Sequence, residues 1–424
     1  LKTNEFLNAI AGTLLFSLFI FTILVLIFAP IFILLFAPGF YIDPAKQEIS
    51  VTVLRIMFPY LALISLVAFA GGIQNTHQKF SIPAFTPVVF NLSLIVAATL
   101  VAPKYEVPIY VLAWGVLLAG FVQLLIQIAP LKSIDRLPTP KLNFKNKGVR
   151  KFFVVILPAI LAGGIIQINL LVDTIFASLL ETGSPTWLYV SDRLVQFPMG
   201  IFAIAIGTVL LPTLSKLNPI TEKNNFVNSI KKGQRFVLFI GIPSLIGLLF
   251  CAEDLISTIF YRGAFTEIDV LKSSYSLMAF SFGLPFFMLM KVLTPAFFAQ
   301  KNTKTPMYVA ILSLILNATL NYLLAFVFNL GHVGIAIGSS ISALISVFIL
   351  EIILYRDGLL IIQNIFNRFN LMIIFASSSL IIFLYLYTSW TDFIKFNQIE
   401  RFLYLSLEII ISIAIYFSIS RLIY

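Results

Sequence analysis

Polar groups lie where a lipid-embedded chain should carry none, in the stretch SPTWLYVSDRLVQFPMG at residues 184–200. The stretch contains adjacent Asp192 and Arg193, and either residue costs roughly 2.5–3.5 kcal/mol at the centre of a membrane helix. On an α-helix, one stripe about 80° wide contains Thr186, Tyr189, Arg193, Gln196 and Gly200. A guanidinium fork in such a stripe suits oxygen anions. The pattern predicts a cavity lining, and the alternative is snorkelling of Arg193 or a structural Asp192–Arg193 network.

A second group of polar residues has the composition of a cation site. Asp173 lies inside an apolar segment, four residues after Asn169 and therefore on the same helical face, and Asn317 and Asn321 repeat this spacing. Carboxylate and amide oxygens suit a hard monovalent cation. Hydrogen bonding between packed helices is the alternative. Ile337 stands where a further hydroxyl would help, which weakens the case for sodium, and both interpretations stay open.

Two further cations and several prolines fall within apolar segments. Lys291 is a candidate lining residue of the same cavity, whereas Arg55 lies close enough to an outer interface to snorkel. The candidate bending points are Pro59, Pro158, Pro198, Pro285 and Pro295.

The elements that must position these residues are membrane helices. Hydrophobic residues make up 60% of the chain and charged residues 11%, and the mean hydropathy is +1.02, which excludes a soluble globular domain. Apolar runs of about 20 residues recur, and each is long enough to cross a bilayer as a helix. We predict an all-α polytopic membrane protein with twelve transmembrane helices near residues 9–36, 52–72, 84–103, 108–130, 152–180, 186–214, 236–260, 271–299, 307–329, 333–354, 369–389 and 402–423.

The net charge of +10 follows loop parity, which argues against nucleic acid as a partner. Basic residues dominate one set of segments, which we therefore place in the cytoplasm: the chain start, the loops around residues 79, 132–151, 216–235, 301–304 and 356–368, and the region of Arg421. A single cysteine excludes an internal disulfide, and two histidines leave little for a His-based catalytic group. With no P-loop, zincin or nucleophile-elbow pattern, the sequence predicts neither ATP hydrolysis nor covalent catalysis.

A constant shift of 226 residues relates two parts of the chain. It carries Pro59 onto Pro285, Gln74 onto Gln300 and Asn91 onto Asn317. Segments 1 to 4 then correspond to segments 7 to 10, which predicts two pseudo-repeated helical lobes in the same orientation, an arrangement typical of transporters. On this alignment two helices precede Leu1 and the last two helices lie outside both lobes. We therefore expect an N-terminally truncated chain from an inferred fourteen-helix parent.

Several segments resemble one family. The stretch INLLVDTIFASLLETGSPTWLYVSDRLVQFPMGIFAIAIGTVLLPTLSK at residues 168–216 is similar to the seventh and eighth helices of the MurJ (MviN) lipid II flippases. NTHQKFSIPAF, GAFTEID and KNTKTP, at residues 75–85, 263–269 and 301–306, resemble the same family in the same order. That family belongs to the multidrug/oligosaccharidyl-lipid/polysaccharide exporter superfamily. The resemblance implies translocation of an undecaprenyl-pyrophosphate-linked peptidoglycan precursor, lipid II, from the inner to the outer leaflet of the bacterial cytoplasmic membrane by alternating access.

The resemblance also implies a division of the chain and a set of partners. Residues 1–131 would form a partial N-lobe, 132–151 a basic cytoplasmic linker, 152–356 the C-lobe and 357–424 two extra helices that help hold the prenyl tail. Lipid II and membrane lipids are the expected partners, together with other cell-wall synthesis proteins. No cofactor is expected beyond sodium or the membrane potential as a source of coupling energy.

The family's site residues carry over only in part. Its threonine-or-serine and arginine positions in a cationic central cavity correspond to Thr186 and Arg193, with Asp192, Tyr189 and Lys291 as neighbouring candidates. The matching acidic position is Gln196 here, which puts any salt bridge or proton coupling through that acid in doubt. The resemblance also implies a sodium site from Asp173, Asn317 and Asn321.

Other functions remain as alternatives. A flippase for another polyprenyl-pyrophosphate glycan and a cation-coupled drug antiporter of the same superfamily are the nearest. A membrane enzyme would need a nucleophile and a base at one depth. Asp173 and Asp192 fall on different helices with no histidine nearby, which argues against that class.

Overall fold

The computed structural model describes residues 2–143, 147–360 and 367–423, and the regular structure in these ranges is helical. Eleven helical stretches there are long and apolar enough to span a membrane: Thr3–Ile27, Pro44–Thr76, Ser81–Lys104, Pro108–Ser133, Ser184–Ser215, Lys223–Phe250, Glu267–Ala299, Lys304–Val327, Gly331–Arg356, Arg368–Trp390 and Gln398–Ile423. These confirm the all-α polytopic fold class. The predicted segment 152–180 falls on a helix with side chains at 153, 155–163, 165 and 166 outside the described set, so the count of twelve stays a prediction.

The chain divides into two compact units, Leu1–Gly163 and Gly164–Tyr424. The helices of unit 1 are α1 (Lys2–Ile27), α2 (Ala29–Phe36), α3 (Pro38–Ile42), α4 (Pro44–Met57), α5 (Tyr60–Thr76), α6 (Ser81–Val96), α7 (Pro108–Ser133) and the first half of α8 (Lys147–Ser178). The predicted lobe and linker boundaries at residues 131, 151 and 356 stay predictions.

Helix α7 is the centre of unit 1, where it packs against α4, α5 and α6. Glycines permit the close approach: a Cβ at Gly120 would lie 2.7 Å from a ring carbon of Tyr60, and one at Gly115 2.8 Å from Ala97. On the opposite face Trp114, Leu118 and other large apolar side chains are exposed. Lipid contact accounts for that exposure, since a soluble domain would bury these groups.

The second half of α8 opens unit 2. Its other helices are α9 (Ser184–Pro198), α10 (Ile204–Ser215), α11 (Lys223–Phe250), α12 (Ala252–Phe260), α13 (Glu267–Ala299), α14 (Lys304–Tyr322), α15 (Gly331–Arg356), α16 (Arg368–Trp390) and α17 (Gln398–Ile423). Helix α13 is central and contacts α9, α10, α11, α12 and α15. Fully buried Leu277, Leu284, Met288 and Leu293 of α13 belong to the main apolar core of this unit.

The terminal pair α16 and α17 packs on α11 through a separate apolar cluster. Leu380, Leu384 and Tyr416 belong to it, and the Tyr416 hydroxyl donates to the carbonyl of Phe239 at 2.9 Å. The pair is therefore attached to α11 by apolar contacts and by at least one hydrogen bond.

The prolines have different effects on the helices. Pro59 separates α4 from α5, and Pro198 ends α9 immediately before a π-helical turn at Met199–Ala203. Pro285 and Pro295 lie within the continuous helix α13. The side chain of residue 158 lies outside the described set. Pro59 and Pro198 therefore mark interruptions, whereas the two prolines of α13 do not break it.

Two π-helical turns, which the sequence did not reveal, support the internal repeat. Helix α6 continues into a π-helical turn at Ala97–Val101, and α14 continues into one at Leu323–Val327. The separation, 323 − 97 = 226, equals the shift that relates Asn91 to Asn317. The two copies therefore share a local backbone irregularity as well as residues.

Candidate functional site

Helix α9 holds the predicted polar stripe, and its buried face fixes its rotation. The Trp187 ring nitrogen donates to Asp269 Oδ1 at 2.7 Å, and the Ser191 hydroxyl donates to the Ser273 carbonyl at 2.7 Å. Gly183 precedes the helix with φ of 107°, a conformation that favours glycine, and a Cβ there would collide with the Trp187 ring. These contacts attach one face of α9 to α13, so the opposite face points outward.

The outward face is the stripe that the 3.6-residue periodicity predicted. Thr186, Tyr189 and Arg193 are exposed, and Gln196 is half-buried. The neighbouring positions Trp187, Leu188, Val190 and Val195 are buried. The structure therefore brings four of the candidate residues together on one surface of unit 2.

Arg193 is held in place without an ion pair. Its guanidinium carbon lies 4.6 Å from the centre of the Tyr189 ring, and Nη1 donates to Gln196 Oε1 at 3.5 Å. The Gln196 amide in turn donates to Asp192 Oδ2. None of the three salt bridges in the described part of the chain includes Arg193. No salt bridge joins Asp192 to Arg193, and the hydrogen bonds between them pass through Gln196, so the guanidinium donors remain available to an anion.

Lys291 is exposed but does not join this group. Its backbone carbonyl lies 3.2 Å from a Cβ built at Gly207, whereas Ser273 of the same helix neighbours Ser191. Helices α9, α10 and α13 therefore run parallel, and Lys291 is level with Gly207. Since 207 − 193 = 14 residues, the two cations lie roughly 20 Å apart along the helix axis.

The residues of the predicted cation site lie together where α8, α14 and α15 meet. Asn321 Nδ2 donates to Asp173 Oδ1 at 2.6 Å and to Asn317 Oδ1 at 3.1 Å, and Asn317 Nδ2 donates to Ser339 Oγ at 3.0 Å. Asn317 and Asn321 are almost fully buried. Residues distant in sequence thus form one network of carboxylate, amide and hydroxyl groups.

Two atoms in this region lack a partner. The carbonyl oxygens Asn321 Oδ1 and Asn169 Oδ1 are buried and accept no hydrogen bond. A buried acceptor without a partner costs free energy, which a cation beside it would offset. No group of three or more His, Cys, Asp or Glu side chains in the described ranges has the arrangement of a metal site. The oxygen set therefore fits a hard monovalent cation better than a transition metal.

Sequence reasoning missed Ser339 and its neighbour Gly338. A Cβ at Gly338 would collide with Asn321 Oδ1, so the glycine allows α15 to approach α14 there. Ile337, the position considered from the sequence, is partly buried and packs on the apolar core. The run Gly338–Ser340 was the available signal, because small residues mark close helix contacts in membranes.

Unit 1 has a separate cavity of about 500 Å³ between α5, α6 and α7. Its polar lining includes Tyr60, Thr86, Gln123 and Gln127, which hydrogen-bond to one another, and no charged residue lines it. These residues were not singled out from the sequence. Their groups are already satisfied by one another, so the cavity offers neutral polar contacts only.

Comparison with known proteins gives concordant matches over the whole chain. The family model described as lipid II flippase MurJ matches residues 1–404. A "Probable lipid II flippase MurJ" of Vibrio cholerae is 40% identical over 364 residues, covering 84% of this chain and 69% of that protein. The "Lipid II flippase MurJ" of Burkholderia cenocepacia is 34% identical over 361 residues, covering 84% of this chain and 70% of that protein.

Solved structures agree with these sequence matches. The structure "Lipid II flippase MurJ, inward closed conformation" aligns with 100% of this chain and 84% of its own, with a TM-score of 0.83 and 26% identity. An inward-facing multidrug transporter of the MATE family aligns with 84% of each chain, with a TM-score of 0.63 and 14% identity. The second likeness shows the shared fold alone.

Proposed function

The chain belongs to the lipid II flippase MurJ family, and on that premise we propose that it moves lipid II from the inner to the outer leaflet by alternating access. It acts as a transporter in the bacterial inner membrane, and the lipid-linked oligosaccharide leaves it chemically unchanged. The match of the family model to residues 1–404 is the observation that carries this function.

Arg193 is the proposed anchor for the pyrophosphate of lipid II. Its guanidinium is exposed, free of any ion pair among the described residues, and oriented by the Tyr189 ring and the Gln196 amide. A fork of N–H donors can bind two phosphate oxygens at once, which gives orientation as well as affinity. Thr186 lies on the same exposed stripe and offers a hydroxyl to the headgroup.

Gln196 has a positioning role in this proposal. It occupies the place where the resemblance implies an acid, and it links the Asp192 carboxylate to the Arg193 guanidinium. A neutral amide orients the arginine without neutralising it. Arg193 therefore keeps its full charge for the substrate. Lys291 would meet anionic groups at a different depth, about 20 Å away.

Sodium is the proposed coupling ion. Asp173, Asn317, Asn321 and Ser339 would hold it, and the unpartnered Asn321 Oδ1 supports the fit. A bound cation would supply the positive charge that Asp173 lacks, since no basic side chain in the described ranges pairs with it. The membrane potential is the other candidate energy source, and an ionophore that collapses it without altering the sodium gradient separates the two.

Two alternative functions can be distinguished from lipid II transport by the substrate that the protein moves. A flippase for a different polyprenyl-pyrophosphate glycan would use the same arginine, whereas a drug antiporter would not require a pyrophosphate. In proteoliposomes with fluorescent lipid II, the proposed function predicts that lipid II moves and returns unmodified upon extraction. Movement of another polyprenyl-pyrophosphate glycan but not of lipid II would overturn it.

A further inference from the structure

Two acidic side chains meet inside unit 2, away from both sites described above. Asp254 lies on α12, which follows α11, and Glu408 lies in the middle of α17. Glu408 is 0% exposed, Asp254 is 6% exposed, and the neighbouring Cys251 is 5% exposed. Helices α12 and α17 contact each other here, so the acids join the terminal helix pair to the body of the unit.

The hydrogen bonds of these acids are incomplete. The Cys251 thiol donates to Glu408 Oε1 at 3.1 Å, but Glu408 Oε2 and Asp254 Oδ2 have no donor. Asp254 follows Cys251 by three residues, so the Cys251–Glu408 hydrogen bond and the contact of α12 with α17 bring the two carboxyl groups close together. Two carboxylates have no hydrogen to share, whereas one proton placed between them satisfies both orphaned oxygens.

Within the described ranges, no basic side chain forms a salt bridge with either carboxyl group. The nearest basic residue on α17 is Arg401, and its Nε and Nη2 donate to the carbonyls of Phe393 at 2.7 Å and Ile394 at 2.9 Å. Its guanidinium carbon also lies 4.5 Å from the ring centre of Tyr261.

The remaining groups near the pair are acidic or neutral. Glu253 precedes Asp254 on α12, and Asp392 lies in the loop before α17, where the hydrogen bond from Lys395 at 2.7 Å lowers its pKa. Tyr387 of α16 and Tyr404 of α17 are the other titratable groups close by. A second full negative charge at this place would be uncompensated, and an unpaired buried charge is expensive.

We propose that Asp254 and Glu408 form a proton-binding site that holds one shared proton at neutral pH and thereby joins α12 to α17. Loss of the proton leaves two adjacent buried carboxylates, whose repulsion separates the terminal helix pair from α12. The site lies on neither α9 nor the Asp173 network.

Infrared spectroscopy of the purified protein tests the proton directly. The difference between wild type and the isosteric double variant Asp254→Asn/Glu408→Gln at neutral pH should contain the carbonyl band of a protonated carboxyl group. Glu253→Gln is the matched control on the same helix and should leave that band in place. If the difference spectrum between wild type and the double variant lacks a protonated-carboxyl band, the proposal is wrong. A metal cation in place of the proton would give that same result.

The single cysteine offers a second readout that does not depend on transport. The S–H stretching frequency of Cys251 reports its hydrogen bond to Glu408. It should shift when alkaline pH removes the shared proton in wild type and in Glu253→Gln. In Glu408→Gln it should not shift. Below the pH at which the proton leaves, the native state binds one more proton than the unfolded chain. The thermal midpoint of wild type should therefore fall relative to the double variant as pH rises from about 5, just above the ordinary carboxyl pKa, to the pH at which the shared proton is lost. Parallel midpoints across that range would contradict the shared proton.

Discussion

Replacement of Arg193 by alanine should weaken lipid II binding while leaving the fold intact. The side chain is exposed, makes one amide contact at 3.5 Å and stacks on Tyr189. An exposed cation–π contact contributes about 0.5–1 kcal/mol, so the loss to stability is small. The loss of affinity for a pyrophosphate should be larger than this loss of stability, because Arg193 is the only guanidinium on the exposed stripe of α9.

The magnitude follows from the hydrogen bonds that the guanidinium can make. A hydrogen bond to a charged group contributes about 1.5–3 kcal/mol, and about 1.4 kcal/mol is a factor of ten in affinity. Arg193→Ala should therefore weaken lipid II binding by roughly 10- to 100-fold even if the loss is equivalent to one such bond. Arg193→Lys keeps the charge but loses the fork, so it should fall between alanine and wild type.

Lipid II affinity measured in detergent or nanodiscs, together with rescue of flippase-depleted cells, gives the readout. Arg262→Ala is a matched control, since Arg262 is exposed in the loop between α12 and α13. It should bind lipid II as wild type does. Wild-type affinity and transport in Arg193→Ala would show that Arg193 only snorkels. A loss of thermal stability in that variant would refute the conclusion that the Arg193 side chain adds little to the stability of the fold.

Three further predictions concern the cation site and the topology. Asp173→Asn should remove sodium-dependent stabilisation and transport; absence of sodium dependence in the wild type would make the network structural. Gly338→Ala should displace Asn321 and reduce both sodium response and stability, by about 1–3 kcal/mol for the latter; an unchanged variant would contradict the close approach. In a cysteine-free protein, a cysteine at Glu106 should react with impermeant reagents and one at Thr303 only with permeant ones, and the reverse pattern would invert the proposed orientation.

The local features of the fold were predictable from sequence because they depend on one helix at a time. The exposure of Thr186, Tyr189 and Arg193 follows from the 3.6-residue period, and the contact between Asn317 and Asn321 follows from their i, i+4 spacing. The 226-residue shift related Asn91 to Asn317, and the π-helical turn that begins six residues after each of them has the same spacing, although the turns themselves were not predicted. These patterns are carried by residues near one another in the chain.

Helical periodicity did not predict several features that depend on how helices meet. Ser339 completes the Asp173 network because of the rotation of α15, which Gly338 permits and periodicity does not fix. The separation of Lys291 from Arg193 depends on the register between α10 and α13. Asp254 and Glu408 belong to segments far apart in the chain, so their proximity became visible only in the folded unit.

Translocation by the purified protein tests the central claim most directly. Vesicles with labelled lipid II in both leaflets, and a membrane-impermeant enzyme or quencher that modifies the outer leaflet only, report the protected fraction over time. Wild-type protein should expose the protected lipid II, chemically unchanged upon extraction, whereas Arg193→Ala should leave it protected as in protein-free vesicles. Equal protection with and without the wild-type protein, under both imposed sodium gradients and membrane potentials, would contradict the assignment as a lipid II flippase.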